Sequence, residues 1–165
     1  MKKLNGFSSK KLKEKVSIGI IGIGPGCGVT HLAIALANYM QSGLGRKAAI
    51  LELSGKHELK NMIQKEGDKN QNLLGVHYFT DICVGKIPEI MNSRYEVFIL
   101  DLGADYAMAR EEFLRCDYKI VSGSISPWKI SIYEHFLNNV IVAENHESWE
   151  FLVLFANLSD KKNVQ

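Results

Sequence analysis

Residues Val16–Met40 (VSIGIIGIGPGCGVTHLAIALANYM) constrain the fold more than any other stretch. The β-branched run Val16–Gly24 predicts a strand buried on both faces. It passes through Gly24, Gly26 and Gly28 into an alanine-rich run that predicts a helix over Thr30–Ser42, ended by Gly43 and Gly45. The helix's apolar positions (Leu32, Ala33, Ile34, Ala35, Leu36, Ala37 and Met40) cover most of its circumference, which predicts burial nearly all round. A strand joined to a helix by three glycines suits one task. Successive backbone N–H groups can point into one concavity at the positive end of the helix, where an anion binds.

The same alternation continues along the chain. Strands are predicted at 47–53, 76–82, 95–102, 118–122 and 148–157, and helices at 56–66, 87–92, 106–115 and 128–139, with a charged, amide-rich loop at 68–72. Pro88 suits the first turn of its helix, and Pro127 suits a helix start capped by Ser126. Strands alternating with helices predict an α/β fold: a mostly parallel sheet flanked by helices as a three-layer sandwich. With 165 residues and neither repeat nor linker, the chain reads as a basic leader (1–15), one α/β domain (16–158) and a polar tail (159–165). In such folds ligands bind outside the carboxyl ends of the strands, so the loops after Gly22, Leu53, Leu102 and Ser122 carry the function.

Charge and cysteine content exclude several classes. The net charge of +2 is too close to balance to imply nucleic-acid binding on its own. Six lysines (Lys2, Lys3, Lys10, Lys11, Lys13 and Lys15) stand in the leader against Glu14 alone. Such a segment is either a solvated leader or a contact for an anionic membrane or nucleic acid. No apolar run is long enough to span a bilayer, and a cytoplasmic protein is expected. Cys27, Cys83 and Cys116 are odd in number and far apart, which fits neither a disulfide framework nor a zinc site.

The glycine segment resembles the deviant phosphate loop of MinD/ParA-type ATPases, K-G-G-x-G-K-[ST]. Laid on that pattern, the chain reads Gly24-Pro25-Gly26-Cys27-Gly28-Val29-Thr30, so both lysines are replaced, by Gly24 and by Val29. The order of elements over roughly 16–158 is similar too, and the look is closest to degenerate CpaE/TadZ-like pilus-assembly relatives. The resemblance implies that Gly24, Gly26, Cys27, Gly28 and Val29 offer backbone N–H groups to the phosphates of ATP or ADP. It implies that Thr30 and Asp101 (from YEVFILDLG) organise Mg²⁺, and that Asn157 reads the base. It also makes Glu52 an approximate stand-in for an acid that positions the attacking water, and Ser126-Pro127 a loop near the base. A homodimer or a protein partner is implied as well, in a regulatory or scaffold role within pilus or secretion-complex assembly.

The missing lysines weigh against catalysis more than against binding. One charge-assisted hydrogen bond contributes about 1.5–3 kcal/mol, so its loss weakens binding by about ten- to a hundred-fold. The transition state loses more, because lysine, arginine and Mg²⁺ carry its charge. Lys56, after the second strand, and Lys129, after the strand at 118–122, are substitute cations or plain surface lysines. A nucleotide cofactor and no cofactor are equally compatible with these residues.

Three alternatives share the same residues. Gly22-x-Gly24-x-x-Cys27 nearly matches an NAD(P)-binding Rossmann fingerprint, with Glu52 as the ribose acid of an oxidoreductase, although Glu52 lies thirty positions past Gly22 rather than about twenty. Cys27 at the helix start and His31 one turn later form a candidate nucleophile–base pair or half a metal site, or Cys27 is a small filler. The glycine loop, finally, also reads as a packing turn in a constitutive scaffold.

Overall fold

A computed structural model describes residues 14–66, 72–124 and 126–153. Seven strands form one sheet: β1 (Val16–Gly22), β2 (Ala48–Glu52), β3 (Asn72–Leu73), β4 (Val76–Phe79), β5 (Val97–Asp101), β6 (Tyr118–Gly123) and β7 (Trp149–Val153). Their order is β3-β4-β2-β5-β1-β6-β7, and only β3–β4 is antiparallel. The helices are α1 (Val29–Asn38), α2 (Glu58–Glu66), α3 (Ile87–Met91), α4 (Tyr106–Arg115) and α5 (Ile130–Phe136).

Strand alternation sends side chains to opposite faces and so divides the core in two. Ile18, Ile20, Ile50, Val97 and Ile99 pack with Val29, Ala33 and Ala37 of α1 and with Leu59 and Ile63 of α2. Ile21, Leu51, Phe98 and Leu100 face the other way, onto Ile87, Ala109, Phe113 and Phe136 of α3, α4 and α5. Helices thus cover both faces, and the three-layer α/β sandwich expected from the alternation is the observed architecture. The strands β1, β2 and β5 are buried throughout, as a parallel sheet covered twice requires. Gly19 lets α4 approach: a Cβ there would lie 2.9 Å from Cys116 Sγ and 3.2 Å from Phe113.

Several local expectations change. Helix α1 buries a stripe, Val29–Ala33–Ala37, rather than its whole circumference; Ala35 is exposed, and Leu32, Ile34, Leu36 and Met40 are half-buried. Ala35 on the outer face supplies helix propensity there, not core. The helix ends at Asn38 and continues as one π-helical turn, Tyr39–Gly43, in which Leu44 N–H donates to Tyr39 O. Strand β3 escapes the sequence reading because its hairpin turn is Leu74-Gly75. Both residues have positive φ (52° and 82°), where an Asn-Gly pair is the usual signal. Ser126 precedes the Pro127 turn but does not cap it; its hydroxyl pairs with that of Ser124 at 3.1 Å. The leader up to residue 13, the loop core at 67–71 and residues 154–165, Asn157 among them, lie outside the described residues. No helix among the described residues is long and apolar enough to cross a membrane.

Candidate functional site

The order of the central strands builds the site. Strand β5 lies between β1 and β2, in register such that Ile20 pairs with Asp101 and Asp101 with Glu52. The glycine loop after β1 therefore opens beside the end of β5. Gly22 N–H donates to Gly103 O and Ile23 N–H to Ser122 O, which ties the loop's first residues to both neighbouring strand ends. The buried Ser122 hydroxyl donates to Cys27 O and holds the loop's far side.

The loop then turns through Gly26 and Gly28, both left-handed, with φ of 70° and 76°. Gly28 is the N-cap of α1. No side chain caps that helix end and no acid stands in its first turn, so its amides face a cavity of about 230 Å³. Gly24, Gly26, Cys27, Gly28, Val29 and Thr30 all line this cavity with Lys56 and Gly103. Six of the seven residues expected to hold a nucleotide are thus brought together; the seventh, Asn157, lies outside the described residues.

Thr30 and Asp101 meet as expected. The Thr30 hydroxyl donates to Asp101 Oδ2 at 2.6 Å, and Gly103 N–H donates to Oδ1 at 3.1 Å. Asp101 is fully buried. Burial pushes its carboxyl above the usual aspartate value. The hydrogen bonds from Thr30 and Gly103 oppose the rise, and the charges of Glu52 and Glu58 add to it. A buried carboxylate beside a hydroxyl whose lone pairs stay free is a hard-oxygen donor set, which fits Mg²⁺. Among the described residues no group of three His, Cys, Asp or Glu side chains could hold a metal alone, so phosphate oxygens and water would complete the shell.

Positions 24 and 29 carry no cation, and each is built into the packing. Val29 is buried, its γ-methyl 3.0 Å from where a Cβ on Gly22 would lie, so the side chain points into the core. A Cβ on Gly24 would meet Ile132 Cγ2 at 2.6 Å, so α5 occupies the space above it. Lys129 and Lys56 both approach the loop from elsewhere. Lys129 Nζ donates to Pro25 O and Gly26 O, 3.0 Å each, bracing the loop from its carbonyl side. Lys56 stands on the cavity side. Both stand at the carboxyl edge, as their positions after strands imply; which side of the loop each meets follows from the sheet order.

Glu52 does not act as a free strand-end acid. Its Oε1 accepts from Leu59 N–H at 2.9 Å and its Oε2 from Lys60 N–H at 3.3 Å, so both oxygens cap the start of α2. Glu52 is thereby turned toward α2, at the edge of a larger cavity that it also lines. Of the candidate thiol–imidazole pair, Cys27 is buried under the loop and His31 is exposed, and both line the smaller cavity. All three cysteines are free thiols, and burial raises the pKa of Cys116 to about 12.

A second, larger cavity of about 870 Å³ adjoins the first along the carboxyl edge, between the loop after β2 and the start of α4. His57 and Asp81 line it and face each other, Nδ1 to Oδ1 at 3.2 Å, and Lys60 Nζ reaches Asp81 Oδ2 at 2.7 Å. Both His57 and Asp81 have φ of 55°, and the hydrogen bond from Lys60 holds the Asp81 carboxyl below its usual range. Sequence reasoning did not single out this cluster, because Asp81 lies more than 20 residues from His57 and Lys60, beyond β4.

No protein-family model matches the sequence, and no curated protein matches it. Solved structures do. A plasmid partition protein from Borrelia burgdorferi, bound to AMPPNP, has a TM-score of 0.61 at 15% identity, over 92% of this chain and 81% of that one. Another structure of a plasmid partition protein from the same organism has a TM-score of 0.61 at 14% identity, over 92% and 84%. The BceF tyrosine kinase domain follows with a TM-score of 0.50 at 14% identity, over 82% and 67%. The fold is that of the P-loop ATPases. At these identities the likeness is one of architecture. The dinucleotide-binding alternative is not favoured: β5 separates β1 from β2, whereas that fold sets the two side by side so that the acid ending β2 reaches the ribose.

Proposed function

We propose that this chain is a nucleotide-responsive regulatory or scaffold protein that binds ATP or ADP with Mg²⁺ and hydrolyses ATP weakly or not at all. One observation carries the reading. The phosphate loop keeps its left-handed glycines and its Thr30–Asp101 pair, while the lysine position is a core valine. The AMPPNP bound to the structurally similar partition protein supports nucleotide as the ligand. In this reading the loop amides hold phosphate, Thr30 and Asp101 hold Mg²⁺, and Asn157 contacts the base. When bound, Mg²⁺ supplies charge neutralisation at the phosphates. The buried Val29 cannot supply it, and Glu52 is engaged in capping α2, so ground-state binding is favoured over transition-state stabilisation.

The role that follows is a cytoplasmic homodimer, or a subunit docked on a protein partner, whose state the nucleotide sets. A setting in pilus or secretion-complex assembly rests on the CpaE/TadZ resemblance alone. Two measurements on the same purified protein test the reading: titration with a fluorescent ATP analogue in Mg²⁺, and phosphate release at saturating ATP. Saturable binding with release no faster than in a Thr30→Ala variant is expected. Turnover well above that variant overturns the weak-hydrolysis half, and no binding at millimolar nucleotide overturns the whole.

A further inference from the structure

The loop's own two cation positions are closed, Gly24 by Ile132 and Val29 by the core. Phosphate charge bound there still needs a partner, and two lysines from outside the motif reach the loop. They are not equivalent. The Lys129 ammonium is spent on two loop carbonyls, Pro25 O and Gly26 O. It also lies 3.3 Å from where a Cβ on Gly26 would be, and it is not among the residues lining the phosphate cavity. Lys56 lines that cavity, and no hydrogen bond or ion pair engages its ammonium among the described residues.

The loop carrying Lys56 is held in place. Ser54 packs on Gly103, where an added Cβ would lie 2.9 Å from Ser54 Cβ, and Lys56 N–H donates to Ser54 Oγ at 3.4 Å. Gly103 in turn donates to Asp101. The segment after β2 is therefore fastened to the same strand end that carries the Mg²⁺ carboxylate. Glu58, two residues on, also lines the cavity and sets a negative charge against Lys56.

We propose that Lys56 is the residue that neutralises the outer phosphates of the bound nucleotide, taking over the task of the absent loop lysine from a different loop, and that Lys129 only braces the glycine turn. The proposal rests on the nucleotide-binding reading above. It predicts a dependence on phosphate number that a structural lysine would not produce. Terminal phosphates contact Lys56, so its effect grows from AMP to ADP to ATP, whereas loosening the loop affects all three alike.

Calorimetric titration of the full chain with ATP, ADP and AMP, each with Mg²⁺, tests this in the wild type and in Lys56→Met, Lys56→Arg, Lys129→Met and Glu58→Gln. In Lys56→Met, ATP is expected to bind about ten- to a hundred-fold more weakly, ADP less so, and AMP as in the wild type. Lys56→Arg should keep most of the affinity, Glu58→Gln should raise that for ATP a few-fold, and Lys129→Met should weaken all three equally while lowering the melting temperature. A wild-type affinity ladder in a folded Lys56→Met protein overturns the inference and leaves nucleotide binding standing. So does a ladder that collapses in Lys129→Met instead. Failure of the wild type to bind any of the three contradicts the nucleotide reading itself, and the inference with it.

Discussion

Asp101 and Glu52 are neighbours across β5 and β2, paired in register, each a buried acid ending an apolar strand. Their surroundings give them opposite work. Glu52 spends both oxygens on the first amides of α2, a helix that begins six residues later in its own chain segment. Asp101 accepts from a threonine hydroxyl and one amide, and it stands at the foot of the glycine loop. A strand-end acid beside a helix start becomes a cap; the same acid beside a glycine turn becomes a candidate metal ligand. The difference lies in which backbone donors come within reach, not in the strand that carries the acid.

Substitution of the two acids should separate these roles. Asp101→Asn keeps a carbonyl acceptor for Gly103 N–H, gives the Thr30 hydroxyl an amide donor in place of the second oxygen, and removes the charge. It should lower Mg²⁺-dependent nucleotide affinity by about a hundred-fold, the upper range for a charged contact, while the melting temperature at neutral pH stays level or rises. A falling melting temperature with intact binding would reverse the assignment. Glu52→Ala should do the opposite, destabilising the fold by about 2 kcal/mol through the lost cap and its stranded amides, with affinity changed only a few-fold. Urea denaturation reads that loss, and Glu52→Gln, which keeps one carbonyl acceptor, should recover part of it.

The ground between the two acids offers a finer probe. Gly103 has φ of 67° and no room for a Cβ beside Ser54. Gly103→Ala should cost about 1–3 kcal/mol, and it should weaken nucleotide binding as well, because the same turn carries the amide that Asp101 accepts. Stability loss without any change in affinity would detach the turn from the site.

The smallest expected effect is on pH dependence. Burial raises the Asp101 carboxyl above its ordinary value of 3.8, so the folded chain holds that proton more tightly than the unfolded chain. The resulting stabilisation is complete below the unfolded value and is lost as pH rises through the raised one. The stability difference between wild type and Asp101→Asn should therefore shift against the wild type across the weakly acidic range, then level off. A flat difference would mean that Asp101 titrates normally in the fold.

Much of this architecture was legible in the sequence, for identifiable reasons. The β-branched run at 16–24 and the short apolar run at 95–102 read as buried strands, and three glycines before an alanine-rich helix place the loop. The Thr30–Asp101 pair was implied by the resemblance to the deviant phosphate loop. What escaped was set by distance or by unusual backbone. The cap role of Glu52 depends on where α2 starts, and the use of Lys129, placed at the binding edge by its position after a strand, on two loop carbonyls depends on contacts across more than 100 residues. The Leu74-Gly75 turn uses a leucine where composition gives no sign of positive φ. Ala35 of α1 looked like core because a hydrophobicity count does not separate a small apolar residue from a buried one; Ala33 and Ala37 are core.

The central claim is that the amides of a lysine-free loop hold phosphate over the Thr30–Asp101 pair. Amide hydrogen exchange by mass spectrometry, with and without ADP and Mg²⁺, reads those amides directly. Slowed exchange across residues 24–32, absent when Mg²⁺ is withheld and absent in Asp101→Asn, is the predicted result. Unchanged exchange there at millimolar nucleotide would contradict the account.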